Sequence, residues 1–246
     1  ETTADLTWAL ILGVARRIVE AHQYMVAGRY KLWGPNLFLG ADVSPGGTGK
    51  RKVLGIVGYG RIGAAVARRA IGFDMDVLAY DPHNPAAIAA DASDASRHVR
   101  AVRLEELLRE SDFVSLHPLL TPETKHMIGE RELGMMKRSA YLINVARGPV
   151  VDEAALVRAL KANVIAGAAL DVFENEPAMA PGLAECTNAL LVPHIASGSQ
   201  DTRDRMATMA ATNAVAHLNG ERAPNVVNPE VYELPAYSAR RSAARA

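Results

Sequence analysis

Hydrophobic positions along the chain change period near residue 50. Between Thr3 and about Ala27, Leu6, Leu10, Val14, Ile18 and Met25 recur at helical spacing, which predicts one long helix; Thr2-x-x-Asp5 at its head reads as a capping signal. Tyr30 to Lys50 breaks that period. Trp33, Pro35, Pro45 and several glycines mark a loop anchored by Leu37, Phe38 and Leu39. From Lys52 onward short apolar runs alternate with helical segments. Strands are predicted at 53–57, 76–80, 112–116, 140–145, 165–170 and 189–192, and helices near 61–72, 103–110, 130–136, 152–161 and 200–219. Asn84 to Arg100 is rich in Ala, Asp and Ser without clear periodicity and reads as a surface insertion. Strands this apolar, separated by helices, predict an α/β fold: a doubly wound parallel sheet covered on both faces.

The first of those strands, Val53 to Val57, runs straight into Gly58-Tyr59-Gly60-Arg61-Ile62-Gly63 and then a helix. Gly58 permits the tight turn. Gly60 leaves room for a pyrophosphate against the backbone, and Gly63 lets helix and strand pack closely, with the helix N-terminus facing the phosphates. The second strand ends in Asp81, 18 residues after Gly63, where a carboxylate meets adenosine ribose hydroxyls and repels a 2′-phosphate. Strand, glycines, helix, strand and acid in this order predict a dinucleotide site, with NAD favoured over NADP.

Composition narrows the partners. The chain has 246 residues, is 49% hydrophobic and carries zero formal net charge, which allows a sizeable core and gives no basic surface for nucleic acid. Leu6 to Ala15 is too short an apolar run to span a bilayer, and no signal peptide is evident, so no membrane partner is expected. Cys186 is the only cysteine, which excludes an internal disulfide framework and fits a reducing, cytoplasmic compartment.

In open parallel sheets ligands bind outside the carboxyl ends of the strands. Those predicted ends carry Gly58, Asp81, His117, Arg147, Asp171 and His194. Hydride transfer to a carbonyl needs a cation to hold the substrate and a proton donor beside the developing alkoxide. Arg147, presented by a turn before Gly148-Pro149, and His194, after Leu190-Leu191-Val192-Pro193, suit those tasks. Glu176, in the loop between them, would orient the imidazole. Spacing leaves plainer readings open: a surface arginine, a buried histidine, a solvated acid. It also leaves Glu174 as a competing carboxylate. His22, His83, His98, His126 and His217 end no predicted strand and are read as ordinary.

Three further stretches carry a resemblance: Asn144 to Leu156 (Asn-Val-Ala-Arg-Gly-Pro-Val-Val-Asp-Glu-Ala-Ala-Leu), Gly167 to Phe173 with its Glu-Pro, and Val192 to Ser197. With the glycine turn they resemble the D-isomer-specific 2-hydroxyacid dehydrogenases, in order, from about Thr3 to Asn228. The resemblance implies that Arg147 binds the substrate carboxylate and carbonyl, that His194 is the acid/base and that Glu176 is its partner. It assigns the pyrophosphate to Arg61 and Ile62, the nicotinamide side to Val145 and Ala146, its carboxamide to Asp171, and further cofactor contacts to His117, Pro118 and Thr124. Ser115 to Leu120, Lys31 to Gly40 and Pro181 to Ala184 resemble the hydroxypyruvate and glyoxylate reductases most. There a tryptophan placed like Trp33 reaches across a homodimer and limits substrate size.

The expected activity is NADH-dependent reduction of small 2-oxo acids: glyoxylate to glycolate, hydroxypyruvate to D-glycerate. D-3-Phosphoglycerate dehydrogenase and a non-catalytic NAD-binding dimerisation module are the alternatives. The expected division is a linking or dimerisation helix over 1–28, a Rossmann domain over 29–225 with a dimerisation loop near 30–50, and a tail over 226–246. Since the chain starts at Glu1 and the family places most of a flavodoxin-like substrate domain earlier, the chain reads as a fragment whose own turnover is open.

Overall fold

A computed structural model of the protein describes residues 1–92, 94 and 98–235. Among these residues the strands are β1 (Val53–Val57), β2 (Asp76–Tyr80), β3 (Val99–Ala101), β4 (Phe113–Leu116), β5 (Tyr141–Asn144), β6 (Gly167–Leu170) and β7 (Ala189–Leu191). They form one parallel sheet in the order β3-β2-β1-β4-β5-β6-β7. The order reverses beside β1, so the crevice between the ends of β1 and β4 is the place where such a sheet receives a ligand. The helices are α1 (Thr2–Ala15), α2 (Ile18–Val26), α3 (Arg61–Ala70), α4 (Pro85–Ala92), α5 (Leu104–Glu110), α6 (Glu130–Met135), α7 (Glu153–Lys161) and α8 (Gln200–Leu218).

Each face of the sheet has its own core, as the all-apolar strands require. One joins Trp8, Ile11 and Val14 of α1 and Val66 of α3 to Leu54, Ile56 and Val77. The other joins Leu108, Leu133, Leu156 and Leu160 of α5, α6 and α7 to Val114, Leu142 and Leu170. α1 is fixed by its tryptophan: Trp8 stacks on Phe73 with ring centroids 4.5 Å apart, and its Nε1–H donates to the Val66 carbonyl at 3.1 Å. Full burial of an aliphatic such as Ile11 contributes about 1.5–3 kcal/mol.

Three expectations are corrected. The long first helix is broken: Arg17 adopts a left-handed conformation with φ 53°, ending α1 and starting α2. The cause lies far along the chain. The Ala15 carbonyl accepts the Ala41 N–H at 2.8 Å in place of a helical donor, and a Cβ at Gly40 would overlap that carbonyl. The capping signal also fails, because the N-cap is Glu1 without a side-chain cap and Asp5 instead pairs with Arg69 of α3 at 2.7 Å. The supposed insertion at 84–100 contains α4 and the edge strand β3, giving the sheet a seventh strand. Ile88 and Val99 are its inward anchors, too few to make a period.

The chain divides into two units, Glu1–Ala196 and Ser197–Ala246. α1 and α2 fall in the first unit with the sheet, and α8 falls in the second. In the second unit Ser199 caps α8 by accepting the Thr202 N–H, and the Tyr232 hydroxyl accepts the Ala223 N–H at 2.8 Å. Of the tail expected over 226–246, residues 236–246 lie outside the described residues.

Candidate active site

The glycine turn is built as its spacing predicts. Gly58 has φ 89°, and a Cβ there would lie 2.6 Å from the His117 carbonyl carbon. At Gly63 a Cβ would overlap the Gly58 carbonyl oxygen, so this glycine sets the approach of α3 to β1. Gly60 differs: among the described residues nothing lies within 4 Å of where its Cβ would be. No packing inside the chain demands a glycine there, whereas a ligand phosphate lying against the backbone would. Gly60 is the N-cap of α3 and offers no side-chain cap, leaving the N–H groups of the first turn, among them those of Arg61 and Ile62, open to an anion. These features fit a dinucleotide pyrophosphate.

Asp81 follows β2 and is partly exposed. Its Oδ2 accepts the Tyr59 N–H at 2.8 Å, and its Oδ1 accepts those of His83 and Asn84 at 2.9 and 3.1 Å. Asn84 braces the turn in return by donating to the Tyr59 carbonyl, and the buried Tyr59 hydroxyl donates to Asp91 at 2.7 Å. Neither Asn84 nor Asp91 carries a signal in the sequence, yet both hold the glycine turn. At the end of β4, His117 shares a 2.8 Å hydrogen bond with the buried Ser115 hydroxyl. The residue keeps part of its surface open, but burial of its ring lowers its pKa to about 3, so the imidazole is neutral. Pro118 follows in the same half-buried stretch. Thr124 braces the next loop, its hydroxyl donating to the Leu119 carbonyl at 2.6 Å and accepting the Thr121 N–H at 2.8 Å.

Past β5 the chain turns through Val145 and Ala146, both buried, to the exposed Arg147. Asn144, itself buried, ties this turn: its Oδ1 accepts the Ala146 N–H and its Nδ2 donates to the Arg147 carbonyl, both at 3.0 Å. A polar residue closing an all-apolar strand was the available signal for it. Gly148 seats the turn against the loop after β6, for a Cβ there would overlap the Phe173 carbonyl.

That second loop carries the carboxylates, and here spacing is resolved by geometry. Glu176 Oε2 accepts from His194 Nδ1 at 2.9 Å, and its Oε1 accepts the Phe173 N–H at 3.0 Å. Desolvation raises the Glu176 pKa, but the His194 bond, the Phe173 N–H and the His194 and Arg147 charges outweigh it, and the carboxyl lies below its ordinary value. Glu174 faces elsewhere, accepting from His126 Nε2 at 2.6 Å and from the Glu153 N–H at 3.3 Å. His126, read as ordinary, therefore forms a second imidazole–carboxylate pair.

His194 is not a buried histidine. Its side chain is half exposed, its φ is 52°, and its backbone N–H donates to the Asp171 carbonyl at 2.9 Å. With Nδ1 donating to a carboxylate, Nε2 is the nitrogen left to face a ligand. Asp171, at the end of β6, has no exposed surface. Its two oxygens accept the Ile195 and Ala196 N–H groups at 2.6 and 2.9 Å, and desolvation, opposed by those bonds, raises its pKa. In this structure its carboxylate holds the His194 loop. Trp33 is far out on the surface, 71% exposed.

A separate cavity of about 500 Å³ lies at the amino ends of β5 and β7, lined by Val14, Arg17, Glu20, Tyr141, Cys186 and Asn188. It includes none of the site residues. Among the described residues no helix is long and apolar enough to cross a membrane, and no cluster of His, Cys, Asp and Glu has the geometry to hold a metal ion.

A 3-2-1-4-5-6-7 parallel sheet, a glycine turn at its switch point and an imidazole–carboxylate pair beside an arginine define an NAD-binding dehydrogenase. The model of the D-isomer specific 2-hydroxyacid dehydrogenase NAD binding domain matches residues 8–196, and the chain belongs to that family. It is 51% identical over 236 residues to a glyoxylate reductase of Korarchaeum cryptofilum, covering 95% of this chain and 68% of that protein. Over 248 residues it is 43% identical to a peroxisomal glycerate dehydrogenase of Arabidopsis thaliana, covering 95% of this chain and 63% of that one. The crystal structure of the TT0316 protein from Thermus thermophilus superposes with a TM-score of 0.79 at 43% identity, over 92% of this chain and 68% of that one. The chain thus spans about two thirds of the length of these relatives.

Proposed function

We propose that the protein is an NADH-dependent reductase of small 2-oxo acids, converting glyoxylate to glycolate and hydroxypyruvate to D-glycerate. The observation that carries this reading is the 2.9 Å pair of His194 Nδ1 and Glu176 Oε2, set at the carboxyl edge of the sheet beside the Arg147 turn. Bound NADH supplies the hydride. Arg147 holds the carboxylate of the 2-oxo acid and polarises its carbonyl, His194 Nε2 delivers the proton to the oxygen that becomes the hydroxyl, and Glu176 holds the ring by Nδ1 so that Nε2 faces that oxygen. Gly58, Gly60, Gly63, Arg61 and Ile62 take the pyrophosphate and Asp81 the adenosine ribose. His117, Pro118 and Thr124 line the cofactor cleft between them, and Val145 and Ala146 back the nicotinamide.

The same reading makes the protein a homodimer. The apolar surface of α1 is covered by its own sheet, so that part of the first segment calls for no partner. α2 is different: none of its residues is buried, and Ile18, Met25 and Val26 are 53, 55 and 71% exposed. Leu32, Trp33 and Leu39 extend the bare apolar surface onto the following loop. A second copy that covers it would let Trp33 restrict the neighbouring cleft. The lone Cys186, a free thiol, suits the cytoplasm. The experiment that tests the whole reading is NADH oxidation followed with glyoxylate, hydroxypyruvate and 3-phosphohydroxypyruvate, alongside light scattering. Turnover confined to the phosphorylated substrate, or none with any, would remove it.

A further inference from the structure

His126 touches both loops that carry the proposed chemistry. Its backbone N–H donates to the Pro149 carbonyl at 2.8 Å, two residues beyond Arg147, and its ring Nε2 donates to Glu174 Oε1 at 2.6 Å, two residues before Glu176. The backbone contact is part of a short parallel bridge: the Ile128 N–H donates to the Val150 carbonyl and the Asp152 N–H to the Ile128 carbonyl. The ring contact is embedded as well. Glu153, buried at the start of α7, accepts the Glu174 and Ala180 N–H groups at 2.7 and 2.8 Å, while its own N–H donates to Glu174 Oε2. Gly148 lies directly on the Phe173–Glu174 backbone beneath this network. Finally, His126 has φ 53°, an unfavourable region for most side chains though one that histidine enters more readily. That conformation directs the backbone to one loop and the ring to the other.

We propose that His126 is a positioning residue, fastening the Arg147 turn to the Glu176 loop so that Glu176 stays aligned on His194. It touches neither substrate nor cofactor. Its effect passes through Glu174, which fixes the loop on which Glu176 stands, and a displacement there lengthens the bond to His194 Nδ1. Small misplacements of this kind lower the chemical rate while leaving cofactor binding alone.

The role of His126 rests on the reductase reading, so its test pairs turnover with a measurement that needs none. His126→Gly removes the ring while easing the positive φ and keeping the backbone bond to Pro149. It should lower kcat for glyoxylate about tenfold, with NADH affinity within about twofold of the parent. His126→Gln, which keeps a donor in reach of Glu174, should recover most of the rate. The double variant His126→Gly/Glu174→Ala should be no slower than the slower single variant, because both changes remove the same bond. Without any turnover, the Glu176 carboxyl followed by ¹³C NMR should titrate at higher pH in His126→Gly, as its partner loosens. Unchanged kcat with an unchanged Glu176 titration would overturn the proposal. So would multiplicative losses in the double variant, or a matching loss of NADH affinity. A parent protein that binds NADH yet reduces no 2-oxo acid would end the reductase reading, and the Glu176 titration alone would then decide the role of His126.

Discussion

Asp81 and Asp171 are the same signal in the sequence, an acid closing an apolar strand, and they are used in opposite ways. Asp81 keeps part of its surface open while it accepts the Tyr59 N–H, so one carboxylate can hold the glycine turn and still meet a ligand. Asp171 has no open surface and gives both oxygens to the backbone of the His194 loop. On the reading proposed above, one acid serves the cofactor half of the cleft directly. The other is tied to the chemical half by the loop it positions. Burial decides between the two roles, and burial is a property of the packed sheet rather than of the strand that precedes the acid.

This contrast between the two halves is most exposed to failure on the chemical side. His194→Ala should cost about 10²–10⁴ in kcat, the usual share of general acid catalysis, and leave the NADH dissociation constant nearly unchanged. Glu176→Gln should lower kcat while NADH affinity is retained, because the imidazole loses the carboxylate that holds its Nδ1 at 2.9 Å. Loss of cofactor binding in His194→Ala would mean that the two halves are not separable.

Asp171→Asn comes next. An amide offers one acceptor and sets a donor against a backbone N–H, which costs about 1–3 kcal/mol for a buried group. Chemical denaturation should show that loss, and kcat should fall about tenfold or more as the His194 loop shifts. If Asp171→Asn instead weakened NADH binding with kcat intact, Asp171 would serve the nicotinamide carboxamide, as the family resemblance implies, rather than the His194 loop.

Asp81→Ala should have a smaller, cleaner effect: NADH binding weaker by about tenfold, or 1.4 kcal/mol, and the preference over NADPH reduced. Fluorescence titration with both cofactors reads this. Equal affinities in the parent protein would take Asp81 out of ribose recognition altogether. The remaining change is one of stability and belongs to His117. Its folded pKa of about 3 lies below the ordinary imidazole value, so the unfolded chain binds more protons across that interval. Stability is therefore full above the unfolded value and is lost as pH falls toward the folded one. Between about pH 7 and pH 4.5 this should remove on the order of 2–3 kcal/mol, and thermal melts of His117→Gln should show a shallower decline.

What the sequence made legible follows the same division. Strands β1, β2, β4, β5, β6 and β7, the glycine turn and Asp81 declare themselves because local apolar runs and local spacing determine them. The break at Arg17 did not, since the Ala41 N–H that captures the Ala15 carbonyl is a partner 26 residues away. β3 stayed hidden because three residues with one inward side chain carry no period. The choice of Glu176 over Glu174 was equally closed to spacing: two acids two residues apart differ only in which histidine the folded loop brings near. Asn144, Asn84 and His126 act by bonding backbone atoms or second carboxylates, and no periodicity marks such a task.

The missing side chain at Gly148 has a consequence for design. With the Arg147 turn resting directly on the Phe173 carbonyl, the separation of the two backbones is a fixed dimension of the scaffold, not an adjustable one. Efforts to admit bulkier oxo acids should therefore leave both loops in register and change the exposed Trp33, which the proposed dimer would set against the neighbouring cleft. An insertion in either loop would have to be matched in the other, so grafting one of them alone from another dehydrogenase should yield a folded protein with its arginine and its acid out of step.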